Sequence, residues 1–369
     1  MIKMAKTGKA AIAVGYGKPL EVREFELPEV DDNSMLLKNN LCGICGTDIH
    51  IWEGRIPFKA PAIIGHEVVS KIQVLGKNIK TDNTGTPVKV GDRVMVNVGV
   101  ACKRCYLCLL DEYTECLNKT GPQPPGVQTI EQKPHFVGGY AEYFFVRSGM
   151  EFVRIPDELT DEEVASFSCA GPTIIHGFER ITLRAGDSVV VQGVGPVGLF
   201  AIIYAKAMGA GKVVAIGAPE RRLEMAKKLG ADSTINIEKY GTNERIAKVK
   251  ELTNNIGPDL ICDASGIPAA VPEGMEMLRN SGTYLIVGQF SDRGTIPIKP
   301  HYITLRQLKL QGTMGYTARE IYRYLMFLKM TRTQIPYKDV ISHKFKLEQA
   351  TEALETVKKG EAVRAVFVP

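Results

Sequence analysis

From Ser188 onward the chain alternates short apolar runs with helix-period segments, a pattern that points to a doubly wound parallel sheet. The runs are Ser188–Gln192, Lys212–Ile216, Asp259–Asp263 and Thr283–Val287. Each has an apolar centre and is too short for a buried helix, which suits strands covered on both faces. Between them, Pro196–Met208, Glu220–Leu229, Asn243–Leu252 and Ala269–Leu278 carry apolar residues at helical spacing. Gly193-Val194-Gly195-Pro196-Val197-Gly198 stands where the first run meets the first helix. In that setting a common glycine pattern becomes a dinucleotide fingerprint. Gly193 permits the tight turn, Gly195 the approach of a pyrophosphate, and Gly198 the packing of helix on strand, while the helix N-terminus offers its amides to the phosphates.

The chain has 369 residues, more than the roughly 250–300 at which one core stops growing, so two domains are expected. Residues from about Lys9 to Arg154 have another texture, rich in Gly, Pro and short β-type runs such as Arg93–Val98 and Ala141–Val146. After Pro297 the strict alternation fades. Helices are predicted over Arg319–Lys329 and Leu347–Lys359, with a last strand at Ala362–Val368. This tail is expected to return to the first domain, giving a mostly-β domain from 1–160 and 298–369 and a dinucleotide-binding domain over 161–297. The Pro- and Gln-rich stretch Thr120–Pro134 is expected to be a surface loop.

Hydrophobic residues at 44% and charged residues at 24% are ordinary globular proportions. The net charge of +5 is spread without runs of either sign, which offers nothing for nucleic acid to recognise. Met1–Ala10 lacks the apolar stretch of a signal peptide, and no segment approaches the roughly 20 apolar residues of a membrane helix. A soluble, cytoplasmic protein is expected.

Eight cysteines crowded at short intervals, with no secretory signal, suit metal binding better than disulfides. Cys102, Cys105, Cys108 and Cys116 stand as C-x2-C-x2-C-x7-C, close enough for four thiolates to wrap one ion. A closed shell of that kind leaves no place for substrate, so its work would be to fold the loop Val100–Asn118. An iron–sulfur cluster is the rival occupant, but the fourth cysteine comes seven residues on and precedes Leu117, not proline, which favours zinc. The lobe's Lys103, Arg104 and Lys119 are interspersed with Asp111, Glu112 and Glu115, a poor surface for a zinc-bearing nucleic-acid binder.

A second set lies at Cys45-Gly46-Thr47-Asp48-Ile49-His50, at Gly65-His66-Glu67, and at Cys169. Taken singly, His66 reads as a structural histidine and Cys169 as a small core residue. Together, thiolate, imidazole and thiolate are the mixed ligands that zinc accepts when it keeps a position open.

On Gly43–His50 (G-x-C-G-T-D-x-H), Gly65-His66-Glu67, the four-cysteine lobe and the glycine fingerprint, in that order over nearly the whole chain, the sequence resembles the zinc-containing medium-chain dehydrogenase/reductase family of alcohol dehydrogenase type. The resemblance implies an α/β fold, with a GroES-like mostly-β catalytic domain beside a Rossmann dinucleotide-binding domain. It implies one catalytic zinc on Cys45, His66 and Cys169 and one structural zinc per chain, with Glu67 beside the metal and Asp48 partnering a ligand histidine. Cys42 is packing. The implied reaction is hydride transfer between NAD(P) and a zinc-bound alcohol or polyol, or the matching ketone or aldehyde. Thr47 would receive the alcohol proton and pass it through the cofactor ribose to His50. A homodimer or homotetramer is implied as well.

The adenosine end of the cofactor site is less decided. The second run of the parallel sheet ends at Gly217, where NAD-specific sites place a carboxylate, and Arg221 and Arg222 lie a few residues on. The missing carboxylate tips the balance towards NADP. Ala264-Ser265-Gly266 and Val287-Gly288 end later strands and border the nicotinamide half. Trp52 and the loop to Phe58 are either pocket wall or packing. A non-catalytic zinc- and nucleotide-binding protein on the same scaffold is the alternative, and the complete ligand set with Thr47 and His50 speaks against it.

Overall fold

A computed structural model of the chain describes residues 6–119 and 127–369 and separates into two compact units. One comprises the segment ending at Cys169 together with Tyr316–Pro369, and the other is Ala170–Gly315.

The second unit is built on six parallel strands in the order Ser233–Asn236, Lys212–Gly217, Ser188–Gln192, Leu260–Asp263, Thr283–Ile286 and Lys309–Gly312. Val189, Val190 and Val191 on the central strand are wholly buried, as a strand covered by helices on both faces requires. The predicted helices form over Pro196–Ala207, Glu220–Lys228, Thr242–Leu252 and Ala270–Met277. Both outermost strands, Ser233–Asn236 and Lys309–Gly312, escape a search for apolar runs. As edge strands they are only partly covered and have the polar compositions STIN and KLQG.

In the first unit a seven-stranded sheet runs Ile341–Phe345, Arg364–Phe367, Met35–Gly43, Glu67–Leu75, Arg93–Asn97 and Glu151–Arg154, with Tyr143–Val146 also paired to Met35–Gly43. The register of this sheet gathers three chain segments. Gly43 lies opposite Glu67 on one side and opposite Val366 on the other. Residues 44–45, 66 and 364 therefore emerge at one end of three adjacent strands. Met35, Leu37, Val68, Phe144 and Phe367 fill the core beneath, together with Cys42, which packs as expected. Trp52 also belongs to this core, its indole N–H donating to the Lys18 carbonyl at 2.7 Å.

The domain limits differ from those expected. Residues 161–169 belong to the first unit, because Asp161 pairs with Arg93, Val164 O accepts from the Tyr324 hydroxyl, and Ala165 O accepts from Arg364. Residues 298–315 belong to the second, because Lys309–Gly312 extends its sheet, Thr283 lying opposite Lys309.

The stretch expected to be a surface loop is only partly so. Residues 120–126 lie outside the described residues. Val127, Gln128 and Thr129 are buried, and Gln128–Thr129 forms an edge strand against Ala62–Ile63, held by the Gln128 amide on the carbonyls of Gln132 and Pro134. Exposure begins at Glu131. Among the described residues no helix is long and apolar enough to cross a membrane.

Candidate metal centres and dinucleotide loop

Cys45 ends the turn after Met35–Gly43 and caps the short helix Gly46–Trp52, while His66 immediately precedes the strand Glu67–Leu75. Cys169 follows Ser168, which lies 101 residues beyond Glu67, and it closes the first segment of the first unit. One potential ligand atom from each of Cys45, His66, Glu67 and Cys169 lies within 4.8 Å of the others. The donor set suits a divalent cation that accepts sulfur and nitrogen, and two thiolates would neutralise its charge. The Cys45 thiol is drawn down to about 6, first by its hydrogen bond with Cys169 and against the effect of burial. Such a sulfur is disposed to ionise and ligate.

Glu67 has a further partner. Its carboxylate meets the Arg364 guanidinium, with Arg364 Nη1 3.3 Å from Oε1 and a second, shorter contact from Nη2 to Oε2, and it accepts the Ser168 hydroxyl at 2.7 Å. Burial would raise this carboxyl, but Arg364 overrides it and holds it at about 2. A Cβ on Gly43 would collide with both members of the pair as they stand. Asp48 is fully buried, and its Oδ1 stands 3.3 Å from His66 Nδ1. Burial pushes the His66 imidazole down, but Asp48 more than offsets this and leaves it well above its ordinary value.

Thr47 Oγ1 is 3.6 Å from Cys45 Sγ, so this hydroxyl borders the donor set. His50 lies in the last turn of the same helix and is half-buried. Two residues near the cluster went unremarked in the sequence. Arg364 is the sole charge in the run Ala362–Val368, a signal that a buried partner had to exist. Tyr316, half-buried, hydrogen-bonds to the Cys169 side chain, and burial raises its phenol.

In the lobe, Cys102, Cys105, Cys108 and Cys116 also bring their sulfurs within 4.8 Å of one another. Cys105 Sγ lies 3.5 Å from Cys108 Sγ and 3.9 Å from Cys116 Sγ. Backbone amides point at the sulfurs, Cys102 N–H donating to Cys116 Sγ at 3.2 Å. The amide of Cys108 is the main influence drawing Cys105 down to about 6. Donors aimed at sulfur suit thiolates, and the lobe has little else to hold it, since Tyr106, Leu109, Leu110 and Leu117 all face outward.

In the second unit the glycine loop has the form its motif demands. Gly193 has φ +100°, and a Cβ there would strike the Ala264 backbone. At Gly198 a Cβ would overlap the Gly193 carbonyl. Gly195 is the N-cap of the helix Pro196–Ala207, with Pro196 in the first turn, and the space beside it is open. Val197 lies half-buried in the same turn. Gly217 packs on Val194, and Arg221 and Arg222 stand in the first turn of Glu220–Lys228, exposed and half-buried respectively. The amides of Val287 and Gly288 both donate to Asp263 O at 2.9 Å. Buried Asp263 organises this edge, its side chain accepting from the Ser265 amide and hydroxyl and from Gln289.

Residues 31–157 match the family model of the alcohol dehydrogenase GroES-like domain, and residues 196–330 that of the zinc-binding dehydrogenases. The 5-exo-hydroxycamphor dehydrogenase of Pseudomonas putida is 35% identical over 97% of this chain and 98% of its own length. Sorbitol dehydrogenase of Bacillus subtilis is 31% identical over 95% of each. An alcohol dehydrogenase structure from Thermotoga maritima superposes with a TM-score of 0.91 at 27% identity, covering 99% of this chain and all of that one. The chain belongs to the zinc-containing medium-chain alcohol dehydrogenase family. It is an oxidoreductase of alcohols.

Proposed function

We propose that the chain transfers hydride between an alcohol or polyol, or the corresponding ketone or aldehyde, and NAD(P), with zinc on Cys45, His66 and Cys169. The gathering of these three side chains and Glu67 within 4.8 Å carries the reading. Zinc held there supplies a Lewis acid for the oxygen of the substrate. Thr47, bordering Cys45, accepts the proton that an alcohol gives up, and His50, three residues on along the helix, delivers it outward. Gly193, Gly195 and Gly198 shape the loop that receives the pyrophosphate, and the Pro196–Ala207 helix directs its N-terminal amides there. Val287 and Gly288 border the nicotinamide. Hydroxycamphor and sorbitol, named in the relatives, both bear hydroxyl groups, which supports a small hydroxyl- or carbonyl-bearing substrate. The enzyme works in the cytoplasm as a homodimer or homotetramer.

Gly217 leaves no carboxylate to repel a 2′-phosphate, and Arg221 and Arg222 stand in the next turn, so NADPH is favoured over NADH. Zinc analysis and oxidation of both cofactors against a panel of carbonyls test the whole reading. About two zinc per chain and faster turnover with NADPH are expected. One zinc without turnover would retain the lobe and overturn the catalytic assignment, and a preference for NADH would overturn the role given to Arg221 and Arg222.

The lobe's zinc is structural in this reading. Cys102→Ala is expected to lose one zinc and about 5–10 °C of melting temperature while each folded molecule still turns over. Metal content and thermal melting check this together.

A further inference from the structure

Tyr140 is not among the potential ligands, yet its contacts lead back to His66 along two routes. Its ring is fully buried and meets Phe367 edge-on, with centroids 4.6 Å apart. Its hydroxyl donates to Asp48 Oδ2 at 2.8 Å. The Cys45 amide donates to the same oxygen at 2.9 Å. Two donors on Oδ2 fix the plane of the carboxylate, and Oδ1, which makes no hydrogen bond elsewhere, is left facing His66 Nδ1 at 3.3 Å.

The second route runs through the backbone. Gly65 has φ +94°, and a Cβ there would collide with the Tyr140 ring. The Tyr140 amide donates to Ile64 O at 2.9 Å, and the Gly139 amide donates to Gly65 O at 2.8 Å. A single residue thus braces both the segment that carries His66 and the carboxylate that faces it.

We propose that Tyr140 is a positioning residue for the metal centre, its hydroxyl locking Asp48 so that Oδ1 accepts a hydrogen bond from Nδ1–H of His66, which leaves Nε2 as the ligand atom. The proposal rests on reading Cys45, His66 and Cys169 as metal ligands. Carboxylates behind ligand histidines set the tautomer and the ring orientation, and a carboxylate released from one of its two anchors does this less well.

Tyr140→Phe keeps the ring and removes the donor. Release of both zinc ions to a chelator would be timed, with the lobe's ion identified as the one absent from Cys102→Ala, and the absorption spectrum of the cobalt-substituted protein would be recorded. The catalytic zinc is expected to leave on the order of tenfold faster, with a shifted cobalt band, while the lobe releases its zinc at the parental rate. In an Asp48→Asn background, Tyr140→Phe is expected to add nothing. Parental release and an unchanged spectrum would overturn the proposal. So would equal acceleration at both sites, which marks general loosening, and so would a full effect in the Asp48→Asn background. A parent protein that binds metal in the lobe alone would instead sink the ligand assignment, and this proposal with it, before any substitution is made.

Discussion

His66→Ala is expected to leave a folded chain that holds about one zinc in place of two and loses about a thousandfold in kcat/KM. A Lewis acid on the reacting oxygen contributes several kcal/mol to transition-state stabilisation, and about 4 kcal/mol corresponds to three decades in rate. The fold should survive, because His66 is one of several groups at the end of strands whose core lies beneath it. With the imidazole gone, two thiols and a carboxylate already committed to Arg364 remain, a poor site for zinc. Metal analysis, far-ultraviolet circular dichroism and turnover form the test. A well-folded His66→Ala protein with parental activity would dismiss the mechanism, whatever its zinc content. Cys102→Ala offers the opposite pattern, with stability lost and chemistry kept, so the pair separates the two metals by function.

Arg364→Met should cost at least as much stability as losing the lobe's zinc. Its guanidinium is enclosed, and besides Glu67 it donates to Ile44 O at 3.2 Å, Ala165 O at 3.0 Å and Ser168 Oγ at 3.3 Å. Methionine fills much of the space but strands the Glu67 carboxylate away from water. Breaking a buried pair from one side costs about 3–5 kcal/mol, which for a unit of this size is roughly 10 °C of melting temperature. Adding Glu67→Leu should restore much of it, since two apolar groups leave no stranded charge.

The same pair sets a pH dependence. Glu67 is held at about 2 against an ordinary 4.5, so the stabilisation it brings is fully present above 4.5 and drains away as pH falls towards 2. The gap in melting temperature between the parent and Arg364→Met should therefore narrow on acidification and begin to do so above pH 4.5, because burial without Arg364 raises the Glu67 carboxyl of the variant. A gap that stayed constant on acidification would show that Arg364 acts by packing alone.

The parallel sheet was legible where strands are covered on both faces, as at Ser188–Gln192, because burial there demands an unbroken apolar run. It was illegible at its rims, where Ser233–Asn236 and Lys309–Gly312 need only backbone pairing. The candidate metal donors divide likewise. The four lobe cysteines lie within one loop, so spacing alone exposes them. Cys169 stands far from Cys45 and His66 in the chain, and local residues say nothing of that approach; the family resemblance was needed. Arg364 could have been flagged, since a lone charge amid Ala362–Val368 requires a counter-charge, but no rule of spacing names Glu67 as that partner. Tyr140 precedes the predicted strand Ala141–Val146 and passes there for an ordinary aromatic, and only the structure supplies the Asp48 oxygen that its hydroxyl needs.

The insertion of one compact unit within the sequence of the other also governs the order of events during synthesis. Glu67 leaves the ribosome 297 residues ahead of Arg364. At about 5–20 residues per second, that interval lasts roughly 15–60 s. Throughout it the Glu67 carboxylate lacks the Arg364 guanidinium, the group that offsets its burial in the folded chain. The pair can therefore form only after the whole of the second unit has been made.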